Sequence, residues 1–427
     1  LVGSEMCIRD RTGRTSPGGA RTRQHYDTQG RLILTEDALG KVWRREYNAQ
    51  GQVVQSVDPL GHKTQYDHDS QGRLSAVIDA KGGRKTFAYN GQGQLLSHTD
   101  CSGKTTAMAY DPDGRLQSQT DAAGGQTQYR YSRGQLCAIT HPDGSRVEFE
   151  RDAEGRLLKQ TDPNGHSTQY RYGPAGQLIE QRNANGHTLA YQWDKSGRLN
   201  SLVNENQARY SFEYDTAGRL IKETDFDGQE TRYVYQQGRV QAVSTAGLLT
   251  TFEYDADGRM TQRSASEIDD QGLPVLASSL SEHFQYDAMG RMSWAKNAQS
   301  RIQFQYDEVG NLTQELCHYD FLKNGLSTVW QHGYDELGNR ISTTRPDGEK
   351  LHWLTYGSGH VHGLVLERPA AAAGRPGGAG SPERIELLGY ERDDLHRAIL
   401  RTQGNGLQQS VKLDAAGRLL EQSVSSL

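Results

Sequence analysis

The strongest constraint on this fold is a spacing. Gly30, Gly51, Gly72, Gly93, Gly114, Gly134, Gly155, Gly176, Gly197, Gly218, Gly238 and Gly258 follow one another at intervals of 20 or 21 residues. A period of that size means repeated supersecondary units that bury surface against their neighbours, not one centred core. A second series of turns falls ten residues after the first, as in Asp37-Ala-Leu-Gly40, Asp58-Pro-Leu-Gly61, Asp79-Ala-Lys-Gly82, Asp100-Cys-Ser-Gly103, Asp121-Ala-Ala-Gly124 and Asp162-Pro-Asn-Gly165. Both series place Asp or Asn three residues before Gly. Asp opens a type I turn by accepting nearby backbone N–H groups, and Gly supplies the positive φ that closes a short hairpin with a bulge. Removing the turns leaves about six or seven residues per half-repeat, the length of a strand. Each repeat therefore reads as two antiparallel strands.

The fullest form of the turn is Tyr-Asp-x-x-Gly-Arg-Leu. It occurs at Tyr26-Asp27…Gly30, Tyr110-Asp111…Gly114, Tyr214-Asp215…Gly218, Tyr254-Asp255…Gly258 and Tyr286-Asp287…Gly290, and with Asn in place of Arg at Tyr306-Asp307…Gly310. These residues are the candidate functional positions, as structural repeat turns. A further aromatic often lies two residues before the tyrosine, as at Tyr66, Phe87, Phe149, Tyr170, Tyr191 and Phe212, and Leu, Val or Met lies two after the glycine. With a side-chain period of two, these share one face. Stacking repeats predicts aromatics packed on one another in a ladder beside an aliphatic stripe. Arg paired with Asp inside a solvated turn accounts for the recurring charges.

Only 34% of residues are hydrophobic, which suits an open or hollow β architecture. A β-propeller is the alternative, since two repeats make about four strands, the size of a blade. The net charge of −5 comes without a basic stripe, which argues against a nucleic-acid partner. No apolar run approaches the roughly 20 residues of a membrane span. Cys7, Cys101, Cys137 and Cys317 are too scattered for a disulfide framework or zinc site. His360 and His362 share a strand face, but nothing nearby completes a ligand set, and Gly357-Ser-Gly-His360 lacks nucleophile-elbow spacing. No catalytic, cofactor or metal residue is expected.

Five segments follow. Residues 1–23 read as a shapeless, non-repeat leader, disordered or artefactual. Residues 24–263 carry regular repeats, and 264–368 degenerate ones with long polar connections at 264–281 and 316–329. Residues 369–383 form an Ala/Gly/Pro-rich break. Residues 384–427 resume the pattern and are expected to stop within it.

The recurring Tyr-Asp-x-x-Gly-Arg-Leu turn resembles the RHS/YD-repeat family, and Tyr390 to Gly404 resembles the late core of bacterial Rhs proteins. The resemblance implies a large spiral β-sheet shell, of which this chain is a piece. It implies a non-enzymatic shell enclosing a C-terminal toxin, exported from a bacterium, often by type VI secretion, for killing competitor cells. Partners implied are the toxin cargo and secretion-spike proteins; the rival function is a cell-surface module binding glycans through its tyrosines. The family's terminal Asp-Pro-x-Gly-Leu self-cleavage motif has no counterpart here, because Asp58-Pro and Asp162-Pro are repeat turns. No autoproteolytic residue is carried over.

Overall fold

The computed structural model describes residues 13–269, 274–275, 279–322, 325–369 and 382–426. These contain 37 β-strands and no helix, so none is long and apolar enough to cross a membrane. They divide into two compact units: residues 13–110, 119–125 and 284–426, and residues 111–118 and 126–283.

The period sets the strands directly. Regular repeats give a five-residue strand after the first turn and a six-residue strand before the next, as in Val53–Val57 and Lys63–His68. In the first unit, antiparallel pairing runs unbroken from Gly13–Thr15 to Thr105–Tyr110. It runs unbroken again from Met292–Lys296 to Leu419–Ser426. The second unit does the same from Gln126–Ser132 to Met260–Glu267. Four-stranded blades would interrupt these ladders every fourth strand, so the propeller alternative is set aside.

At first turns with the full motif the register slips by one residue and the tyrosine faces the leucine, as Tyr26↔Leu32 and Tyr214↔Leu220. This is the bulge that a glycine in the left-handed region forces on a short hairpin. One face carries these pairs together with Tyr66↔Val77, Tyr191↔Leu202 and Tyr233↔Val243. The opposite face is polar and laced with cross-strand pairs such as Lys159–Glu150 and Arg171–Glu180. Its deepest positions are small: Ala76, Ala138, Ser201 and Ser342 all lie four residues after a turn glycine, and all are buried. Among the described residues the buried apolar side chains are only Ala76, Ala138 and Leu366, so stability is spread along the ladder.

Two sequence expectations need correction. Residues 13–23 are not shapeless: Gly13–Thr15 is a strand paired with the start of Arg21–Tyr26; residues 1–12 lie outside the described residues. The polar connections are shorter than expected, because Met260–Glu267 and Leu280–Tyr286 extend into the first, and Leu312–Tyr319 and Leu326–Tyr334 into the second. Polar β-branched and small residues pair well on a half-exposed strand. Most of the Ala/Gly/Pro break, at 370–381, lies outside the described residues.

Candidate functional site: the clasp between repeats and a seam of turns

Every residue of the turn motif has a defined role. Asp215 Oδ1 accepts the N–H groups of Ala217 and Arg219, both at 2.9 Å, and Oδ2 accepts Arg219 Nε at 2.7 Å. Gly218 sits at φ 83° and donates to the Asp215 carbonyl at 3.0 Å. The Arg219 guanidinium, fixed by Asp215, lies 4.8 Å from the ring centre of Tyr235 in the next repeat. Tyr235 in turn donates its hydroxyl at 2.8 Å to the carbonyl of Leu220. A strained bulge would otherwise leave that carbonyl half-buried and unpaired. The motif thus clasps one repeat to the following one.

The other predicted positions fall on the same frame. Tyr110, Tyr214, Tyr254 and Tyr306 donate to the carbonyls of Leu95, Leu199, Val240 and Met292 at 2.8–2.9 Å. Tyr26 bonds Gln24 instead, at 2.9 Å, and Tyr286 ends the strand Leu280–Tyr286. Asp27, Asp111, Asp255 and Asp287 each bind the N–H and Nε of the arginine four residues on, and Asp307 binds Asn311 likewise. Gly30, Gly114, Gly218, Gly258, Gly290 and Gly310 all have φ between 77° and 102°.

The expected ladder of ring on ring is corrected. Arginine lies between successive tyrosines, with guanidinium-to-ring distances of 4.5–5.2 Å at Tyr47, Tyr89, Tyr131, Tyr172, Tyr214 and Tyr306. Direct ring contacts are local, such as Tyr210 with Phe212 and Phe226. The arginines are therefore half-buried packing elements as well as partners in the expected turn ion pair. With their hydroxyls committed to carbonyls, the motif tyrosines are also poorly disposed to hold sugar rings.

Departures from the motif show what it needs. Trp193 uses Nε1 for the same bond, to Leu178 O at 2.7 Å, and Arg392 uses its guanidinium, to Val361 O at 2.6 and 2.8 Å. Any long donor suffices. His68 is too short: its Nδ1 is buried without a partner. With Gln52 in the arginine's place, a groove of about 760 Å³ opens here, lined by Asn48, Gln52, Tyr66 and His68. Replacing His68 by Tyr narrows the groove and supplies a donor long enough for the carbonyl half of the clasp. The expected result is a gain of about 1 kcal/mol, read as a rise in the thermal midpoint.

The turn carboxylates carry an electrostatic signature. At Asp27, Asp69, Asp194 and Asp215 the largest influence is the N–H of the arginine four residues on, which lowers the pKa from the ordinary 3.8, aided by the guanidinium. At Asp111, Asp152 and Asp255 partial desolvation is the largest influence and pushes upward, but the N–H and guanidinium bonds together outweigh it. All are lowered, so the unfolded chain binds more protons than the native one in this range. Their contribution is complete above 3.8 and is lost as pH falls through the lowered native values. Hydrogen-exchange protection of the turn Asp215–Arg219, corrected for intrinsic rates and followed from pH 7 to pH 2, should stay level down to about pH 4 and then fall steeply; a fall beginning above pH 5 would contradict this origin.

A second set of contacts, within the first unit, joins residues far apart in sequence. Second turns of the early strands meet first turns of the late ones. Lys41 pairs with Glu308 at 2.8 Å, Lys81 with Asp335 at 3.0 Å, Lys104 with Asp394, and His396 with Asp100 at 2.9 Å. At Asp335 the arginine position is Asn339, and Lys81 supplies the missing cation. His360 stacks on His396 with centroids 3.8 Å apart and 9° between planes. His362 lies 6.1 Å from the Tyr356 ring. Among the described residues no three His, Cys, Asp or Glu side chains are placed to hold a metal ion.

Comparison with known proteins puts the repeat in context. The RHS Repeat family profile matches residues 26–62, 47–84, 89–125, 110–146, 151–188, 174–209, 193–230 and 214–247, together about half of the chain. Toxin protein Tse5 of Pseudomonas aeruginosa is 35% identical over 126 residues, covering 29% of this chain and 8% of its own length. Double-stranded DNA deaminase toxin A of Burkholderia cenocepacia is 32% identical over 252 residues, covering 48% of this chain and 16% of its own. The chain thus spans a small fraction of these curated relatives. Among solved structures, TcdB2–TccC3 without its hypervariable C-terminal region superposes with a TM-score of 0.62 at 15% identity, over 94% of this chain and 27% of that one. The Photorhabdus luminescens Tc holotoxin pore gives 0.60 at 15% identity, over 97% and 24%.

Proposed function

We propose that this chain, which belongs to the RHS repeat family, is a stretch of shell wall that encloses a C-terminal toxin segment of a longer, exported polypeptide. The observation that carries this reading is the clasp. Repeat after repeat is tied to the next by an arginine-on-ring contact, a long-donor bond to the bulge carbonyl, or both. Such a sheet extends by addition and needs no central core. Its role is enclosure, and the chemistry of killing belongs to the cargo. The face bearing the tyrosine and leucine rows is the one that meets the cargo, holding it through apolar contact without sequence specificity.

The relatives named as toxins support a toxin-related role, and their greater length supports a longer parent polypeptide. Export, by a type VI or another secretion route, follows from a cargo that acts on a different cell. The test is limited proteolysis of the full-length polypeptide that contains this chain. Enclosure predicts that the segment after the repeats survives protease while the repeats are folded and is cut once they are unfolded. Cutting at the rate of the isolated segment overturns the reading.

A further inference from the structure

The turn Asp393–Arg397 breaks the repeat's own rule. Where the other first turns of this form place glycine, it places His396, at φ 61°. A non-glycine side chain in that region is strained and persists only where surrounding contacts hold it. Those contacts reach across the seam. His396 Nε2 is 2.9 Å from Asp100 Oδ2, and Nδ1 is 2.8 Å from the Tyr356 hydroxyl. Asp100 only accepts, so Nε2 carries a proton towards it, and Nδ1 shares the second bond with the Tyr356 hydroxyl. Opposite His396's ring lies that of His360. The fit is close: a side chain on Gly357 would meet Ser102 Oγ at 2.6 Å.

We propose that this cluster is an acid-released latch: His396, stacked on His360, ties the late strands to the turn Asp100–Lys104 at neutral pH and releases it when His360 becomes charged. The charges on every side support this direction. The early turn contributes Asp100 and Lys104. The strand Glu383–Arg392 contributes Arg392, and the turn after it contributes Asp393, Asp394 and Arg397. Tyr356 and His362 pack beside the stacked pair. Three cations and three carboxylates therefore balance at neutral pH. A proton on His396 has Asp100 as its counter-ion. A proton on His360 faces the stacked His396 ring and Arg392, and tips the cluster positive.

Desolvation first, then the charges of His396 and Arg392, hold His360 below the ordinary 6.5, against a weaker pull from Asp100. A base held low in the native state adds stability that is complete above 6.5 and is lost as pH falls below it. Asp100 stays ionised through this window. Desolvation is the largest influence on it and pushes upward, but its bonds to His396 and to the Lys104 and Ser102 N–H groups outweigh that.

The test is hydrogen exchange of the whole chain at pH 7.5 and pH 5.0, corrected for intrinsic rates. Peptides spanning 100–104 and 393–397 report the latch, and the turn Asp215–Arg219 is the reference. Exchange at both latch turns should accelerate on the order of tenfold at pH 5.0, with the reference unchanged. H360Q should hold both turns protected at either pH. H396G, which restores the turn glycine, should leave the turn folded but the seam open at both. Equal protection of the wild type at the two pH values, acceleration that H360Q retains, or equal acceleration at the reference turn each overturns the latch.

Discussion

Tyr214→Ala should loosen two repeats at once and destabilise them by about 3 kcal/mol. The ring supports the Arg198 guanidinium at 4.9 Å, pairs with Leu220 across its own bulge, and caps the Leu199 carbonyl at 2.8 Å. Truncation removes the aromatic contact surface and leaves that carbonyl half-buried without a donor. Arg198 stays tied to Asp194 at 2.7 Å but loses its platform. Tyr214→Phe separates the two parts: the ring remains, the hydroxyl bond goes, and the loss should be near 1 kcal/mol. Tyr214→Trp should recover most of the stability, because Trp193 already makes this bond with its indole N–H. Native-state hydrogen exchange is the right measurement, since a long ladder need not unfold in one step. Protection should fall around Leu199 and Leu220 together. A loss confined to the strand Arg209–Tyr214 would mean that the tyrosine serves its own repeat and not a clasp.

The repeat itself was legible because its chemistry is local. Asp, Gly and Arg act within five residues, so turn spacing alone locates the strands, the bulge and the shared face of Tyr and Leu. The arginine's second role was not legible. Its partner ring lies 16 residues on, and nothing in the local pattern separates a solvated ion pair from one lying on an aromatic. The seam was less legible still, because Lys81–Asp335 and His396–Asp100 join residues 254 and 296 apart. A signal was nevertheless present. Tyr306-Asp-Glu-Val-Gly-Asn311 and Tyr334-Asp-Glu-Leu-Gly-Asn339 lose the arginine and carry an apolar tip residue, where the early first turns carry Gln29, Gln50, Gln71 and Gln92. The two altered turns are those whose acidic residues meet Lys41 and Lys81. A repeat position that changes in a run of neighbouring copies marks a surface with a different neighbour. His360 and His362 drew notice as a pair, but the partner that matters is His396, which sequence spacing had no means to supply.

Gly404→Ala should cost about 3 kcal/mol or more, although Gly404 has no positive φ and is not the glycine that closes its turn, which is Gly406. A methyl group there would overlap the carbonyl oxygen of Glu386 and come within 3.5 Å of Leu387 Cα. Backbone is the least yielding obstacle, so relief requires the two strands to part. Parting them breaks the bond from Gly404 N–H to the Leu387 carbonyl, 2.9 Å in length, and then the neighbouring pair Leu388↔Gln403. Gly389→Ala is the matched control. It lies in the same strand pair, opposite Thr402, with its nearest foreign atom 4.0 Å from the added methyl. That change should be neutral or slightly stabilising, since alanine restricts the unfolded chain. The pair of variants therefore separates close backbone approach from mere loss of flexibility. The strands concerned, Glu383–Arg392 and Ala398–Gln403, flank the turn that carries His396. Gly404→Ala should thus also raise exchange at 100–104, across the seam, whereas Tyr214→Ala, in the other compact unit, should leave those amides protected. Protection at 100–104 that survives Gly404→Ala would show that the latch turn holds its place without the strands beneath it.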